Sequence, residues 1–185
     1  MLNKSFFKSN ARALLLCTGA ALLLSACSPA FNWRQVQSND APYSVMLPAK
    51  PATFTREVDL DGIKINMTMM AAEVENTVFA VGSAKVADTQ HTAVVLQAIK
   101  TALLKNINGR IKVEKTTAQR NNADTRNSIV IEAVGTDTKG QATSLFAHLQ
   151  SKNQQIYQVM VIGPENGKAV SRDNIDTFME SFKPS

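Results

Sequence analysis

After residue 42 the apolar pattern of this chain alternates between two periods, and the order of those periods limits the fold more than composition can. Tyr43–Leu47, Thr53–Leu60, Ile63–Glu73 and Thr77–Val86 read as strands. They are separated by Pro48 and Pro51, by the hairpin pair Asp61-Gly62, and by Glu75-Asn76. In the fourth run Val78, Ala80 and Gly82 share one face while Phe79 and Val81 share the other, which places that strand near a sheet centre. His91 to Asn106 then carries Val94, Val95, Ala98, Ile99, Ala102 and Leu103 at helical spacing. Leu96 and Ile107 widen that arc, as expected of a helix laid deep against a sheet. Asp88 or Thr89 is the expected N-cap, and Gly109 the stop near C′.

Strand periodicity resumes in Arg110–Ala118, Ser128–Gly135, Ala142–Gln150 and Gln155–Ile162. Asn121–Asp124, Thr138-Lys139-Gly140 and Lys152-Asn153 supply turn chemistry between them. The stretch from Tyr157 to Ile162 is apolar on both faces and is expected to be a central strand. Ser171 caps a last helix whose stripe is Ile175, Phe178, Met179 and Phe182, with Asp173 and Lys183 placed to suit the helix dipole. Strand runs joined by tight turns, then a helix, twice over, describe an α+β domain: an antiparallel β-sheet meander with a central and a C-terminal helix packed on it. The alternation of strand and helix that builds a parallel sheet is absent.

The first 26 residues have a different character. Lys4, Lys8 and Arg12 precede the apolar run Ala13–Leu24, which is too short for the roughly 20 residues of a membrane span. Leu24-Ser25-Ala26-Cys27 then resembles a bacterial lipobox, with Cys27 as the lipidation site and new N-terminus after removal of 1–26. The resemblance implies a diacylglyceryl group and usually a third, palmitate-type acyl chain, a firm membrane anchor. Ser28 after the cysteine implies export to the outer membrane, facing the periplasm. Residues 27–42 are then a lipidated N-terminus and tether, and 43–185 a single domain. Phe31 and Trp33 within the tether have two readings, resting at the bilayer interface or packing on the domain.

Cutting 26 of the 185 residues leaves 159, a length typical of one domain. Three of the 20 basic residues leave with the leader, so 17 remain against 15 acidic ones, and the charge gives no reason to expect nucleic acid as a partner. Arg110, Lys112 and Lys115, with Glu114 among them, read as a solvated strand face. Cys17 also leaves and Cys27 becomes a thioether, so no disulfide can staple the fold.

Pro42-Tyr43-Ser44-Val45-Met46-Leu47-Pro48, the central helix, the Tyr157 strand and the closing Phe178-Met179-Glu180-Ser181-Phe182 together resemble the PsbP-like fold. That group includes the photosystem PsbP proteins, the Ran-binding Mog proteins and bacterial DcrB-type lipoproteins. The likeness spans residues 42 to 183. It implies a PsbP-like sandwich and an interaction module whose partner is an envelope protein, since these proteins share no one chemistry and mostly bind other proteins.

Motifs for chemistry are sparse. Met67-Thr68-Met69-Met70 invites a Cu(I) reading, but a strand would point Met70 away from Met67 and Met69, and adaptable core packing is the simpler account. His91 and His148 are the only histidines and fall on different elements. Asp59 and Asp61 flank a hairpin turn, and Thr136-Asp137-Thr138-Lys139-Gly140 lacks the glycine spacing of a phosphate loop. No enzyme, cofactor or metal is therefore expected. The leading expectation is a membrane-anchored interaction module, and the alternative is a binder of a small apolar ligand or lipid in a helix–sheet groove.

Overall fold

From Ala52 onward the consecutive strand runs of each meander pair with one another in a computed structural model that describes residues 30–60, 62–120 and 125–185. Residues 1–29, which include the expected leader, Cys27 and Ser28, and residues 61 and 121–124, expected to form turns, lie outside the described residues. The large sheet is built from β3 (Ala52–Leu60), β4 (Ile63–Val74), β5 (Thr77–Lys85), β6 (Arg110–Arg120), β7 (Thr125–Thr136), β8 (Ala142–Lys152) and β9 (Gln155–Pro164). Its order is β3-β4-β5-β9-β8-β7-β6, and every pairing is antiparallel. Two meanders, β3-β4-β5 and β6-β7-β8-β9, thus join where β9 meets β5 at the centre, with Phe79 opposite Val161. Central positions demand apolar residues on both faces, and β5 and β9 have them.

The turns follow local backbone chemistry. Glu75 and Asn76 both adopt positive φ, 49° and 59°, as a two-residue turn between β4 and β5 requires. Gly62 has φ 91°, and its N–H donates to Asp59 Oδ1 at 2.7 Å.

α1 (Thr92–Asn106) lies on one face of the large sheet, against β7, β8, β9 and β3. It buries Val95, Leu96, Ile99 and Leu103 against Ile129, Ile131, Leu145 and Leu149. Val94, read as part of the apolar arc, points outward at 53% exposure. The expected N-cap moves as well. His91 occupies the cap position without a side-chain cap bond, while Asp88 Oδ1 accepts the N–H groups of Gln90 and His91 in the preceding turn. At the far end Asn108 takes the left-handed conformation, φ 47°, with its N–H on Lys105 O and the Gly109 N–H on Leu104 O. The stop is therefore a Schellman motif with Asn108 at C′, one residue before the expected glycine.

The opposite face carries a second layer that the expected single sheet lacked. β1 (Arg34–Gln37), β2 (Tyr43–Leu47) and β10 (Lys183–Pro184) form a small sheet, and α2 (Arg172–Ser181) lies beside it. β2 leaves the main meander because Tyr43, Val45 and Leu47 bury one face of a strand that Pro48 ends. They pack with Ile175, Phe178 and Phe182 onto Met70, Phe79, Val81, Tyr157 and Val161. Ser171 caps α2 as expected, accepting from the Asn174 N–H at 3.4 Å. The helix ends at Ser181, one residue before Phe182, and Lys183 pairs in β10 with Ser44 instead of closing the helix.

The tether reading does not hold from Phe31 onward. Phe31 and Trp33 stack at 5.7 Å, and each meets the Phe79 ring edge-on, at 6.3 and 5.9 Å. Aromatic area with a buried partner so close is held by the domain, and β1 follows directly.

Candidate functional site

Among the described residues, two accessible features lie where the helices meet the large sheet. The first is a cleft of about 310 Å³ between the C-terminal half of α1 and the sheet, bordered by Val58 and Leu60 of β3. Its floor includes Met67 and Met69, which cover Gly82, where a Cβ would stand 2.7 Å from Met69 Sδ and 3.1 Å from Met67 Sδ. The missing side chain is what lets two thioethers lie over the strand. Gln158 Nε2 sits 3.0 Å from Met160 Sδ on the same wall, and Ile99, Ala102 and Leu103 form the roof. Arg56 and Asp59 stand at the mouth.

The second feature is the half of the sheet that the small layer does not cover. On that face the register aligns Val113, Glu132 and Phe146 in one row, Lys115, Val130 and His148 in the next, and Thr117, Ser128 and Gln150 in a third. β7 and β8 are only partly buried there, whereas their opposite face, under α1, is fully buried. Val113 is 39% exposed. A β-bulge between Ile111 and Val113 bends the edge strand. Arg172 of α2 borders the platform, 2.8 Å from Glu132 and 5.3 Å above the Phe146 ring. His148 Nε2 and Ser128 Oγ share a hydrogen bond of 2.9 Å, and burial pushes the imidazole below its ordinary pKa.

The residues singled out in sequence separate rather than converge. His91 lies exposed at the start of α1, 2.9 Å from Asp88, whose carboxyl that contact holds below the usual range. His148 is on the face of the sheet opposite α1, so the sheet separates the two histidines. Met67 and Met69 face α1 while Met70 packs in the other layer, as strand alternation requires. Asp59 serves the β3–β4 turn; Asp61 is outside the described residues. Asp137 Oδ1 accepts the N–H groups of Lys139 and Gln141, both at 2.8 Å, which accounts for the polar turn before β8. Lys112 faces Glu165 at 3.5 Å, and Glu114 holds Lys100 of α1 at 2.8 Å. Among the described residues no three His, Cys, Asp or Glu side chains gather to hold a metal ion.

Sequence reading missed Gln158 and Met160 as cleft residues, Gly82 as the space that seats the cleft's methionines, and Ser128 and Arg172 as platform residues. They lie on four different elements, β5, β9, β7 and α2, so only the tertiary packing brings them together. An unexplained glycine inside the strongly apolar fifth strand was the one available signal.

No protein-family profile matches the chain. No curated protein sequence matches it either. Among solved structures it is similar to the solution structure of cyanobacterial PsbP (CyanoP) from Synechocystis sp. PCC 6803, with 11% identity, a TM-score of 0.48, and coverage of 88% of this chain and 99% of that chain.

Proposed function

We propose that this chain is a lipid-anchored protein of the bacterial envelope, of PsbP-like, DcrB-type kind, whose domain is a non-catalytic interaction module. Its anchor is Cys27, its side of the membrane the periplasm, and its membrane the outer one; the lipobox Leu24–Cys27 and Ser28 support that half of the reading. The kinship rests on the paired terminal patterns Pro42–Pro48 and Phe178–Phe182. The partner is an envelope protein, and neither a cofactor nor nucleic acid enters.

The observation that carries the binding half is the partly open platform of β6, β7 and β8, which α2 borders at Phe146. Apolar Val113, Val130 and Phe146 are interleaved there with Lys115, Ser128 and His148, the mixture of apolar centre and polar groups that protein interfaces use. A photoreactive residue placed at Val113 or Thr117 in living cells is expected to capture a discrete partner, and one at exposed Lys64 is not. Val113→Glu should abolish capture by the Thr117 probe without changing the melting temperature. Equal capture from all three positions, or none from any, would refute the platform.

The cleft under α1 favours a second reading, a small apolar ligand or lipid lying over Met67 and Met69. Native mass spectrometry of the purified protein should then show a bound apolar mass that is lost in Ala102→Phe, which fills the roof. A mass retained in that variant counts against the cleft.

A further inference from the structure

Trp33 is the only tryptophan of the chain, and it stands where the chain enters the domain. Its ring stacks on Phe31 at 5.7 Å, and both lean on Phe79, which is completely buried. Phe31 and Trp33 themselves stay only partly buried. The pair is thus a fixed aromatic shelf, one side seated in the domain and the other open. Two cations flank it. The Asn32 N–H donates to Pro48 O at 2.7 Å, which ties the loop carrying exposed Lys50 beside the shelf, and Arg34 pairs with Leu47 at the same end of β1. Asp40, the acid of this small sheet's first turn, lies beyond the other end of β1.

Chain length supplies the second argument. Three residues, Ser28 to Ala30, separate Cys27 from Phe31. Four extended steps reach at most about 14 Å. The polar headgroup region adds only about 5–8 Å on each side of the hydrocarbon core, so a lipidated Cys27 keeps the shelf in that layer or within about 14 Å of it. Tryptophan favours that layer, where its ring is apolar and its indole N–H remains wet. Lysine and arginine beside it are drawn to anionic headgroups.

We propose that the Phe31–Trp33 shelf, with Arg34 and Lys50, is the bilayer-facing surface of the domain and sits in the headgroup layer of a membrane containing anionic phospholipid. This rests on the lipid-anchor reading above. The domain is then held against the membrane in a set orientation, not suspended on a long leash.

The single tryptophan makes the test direct. The full lipidated protein is reconstituted into vesicles of phosphatidylethanolamine and phosphatidylglycerol, with a phosphatidylcholine brominated either near the headgroup or deep in the acyl chain. Flotation reports the anchor, and Trp33 emission reports the shelf. The expected result is flotation with emission lost to the shallow bromines more than to the deep ones. Arg34→Glu combined with Lys50→Glu should still float, with an unchanged melting temperature, and should recover much of that emission. Flotation without quenching overturns the shelf and leaves the anchor standing. Failure to float overturns the anchor and the shelf with it.

Discussion

Phe178→Ala tests how the second layer is held. α2 has ten residues and buries only Ile175 and Phe178 along its length. Isolated helices shorter than about 12–15 residues are marginal in water, so docking decides whether α2 exists. Phe178 is completely buried and meets Phe79 edge-on at 5.5 Å. Truncating such a ring costs about 3–5 kcal/mol, against total stabilities of about 5–15 kcal/mol. At about 2–4 °C per kcal/mol for a domain of this size, the melting temperature should fall by about 6–20 °C. Glu180 is exposed on the same helix, and Glu180→Ala should change stability by no more than about 0.5 kcal/mol. Calorimetry of both variants beside the parent measures the contrast. Hydrogen exchange adds a local readout: the Ser185 N–H, bonded to Pro42 O at 2.8 Å, should lose protection in Phe178→Ala as β10 loosens with the helix. Equal melting of the two variants would show that Phe178 does not hold α2 in place.

Three further outcomes are expected. Gly135→Ala drives a Cβ into the Ile107 carbonyl oxygen and to 2.9 Å from Gly109 Cα, where backbone meets backbone and the Thr136 N–H bonds Ile107 O at 2.6 Å; a loss of about 1–3 kcal/mol in denaturant titration is predicted, and an unchanged midpoint would contradict the packing of the α1 C-terminus on β7. Burial holds His148 below its ordinary 6.5, so the unfolded chain takes up its proton first as pH falls. Its stabilisation is present in full above about 6.5 and is lost as pH falls through the lower folded value. His148→Gln should therefore show a shallower stability loss below pH 6.5 than the parent, and parallel curves would count against a desolvated imidazole. Cys27→Ser should remove the acyl mass and release the protein from membranes, and mass spectrometry finding the same membrane-bound mass would rule out Cys27 as the anchor.

Local chemistry made much of the fold legible in advance. The period-two runs became β3 to β9, Ser171 capped α2, and Tyr157–Ile162 fell in the central strand, because each depends on neighbours within a few residues. Misreadings arose where distant partners decide. Val94 fits the apolar arc of α1 by spacing, yet the sheet reaches only the side bearing Val95, Leu96 and Ile99. Tyr43–Leu47 has the alternation of any half-buried strand, and nothing in it says that it pairs with Arg34–Gln37 and Lys183–Pro184 instead of the main meander.

The sequence by itself determined the element types, the antiparallel class and the separation of Met70 from Met67 and Met69, since period and turn residues are local properties of the backbone. Only the tertiary structure decided that the two meanders join at β5 and β9, that a second layer covers half of one face, and that Phe31 and Trp33 seat on Phe79. The cleft over Met67 and Met69 and the platform beside Arg172 belong to that second kind. Their residues are strangers in sequence, and only the closing of strand register across the sheet, driven by burial of both its faces, makes them neighbours.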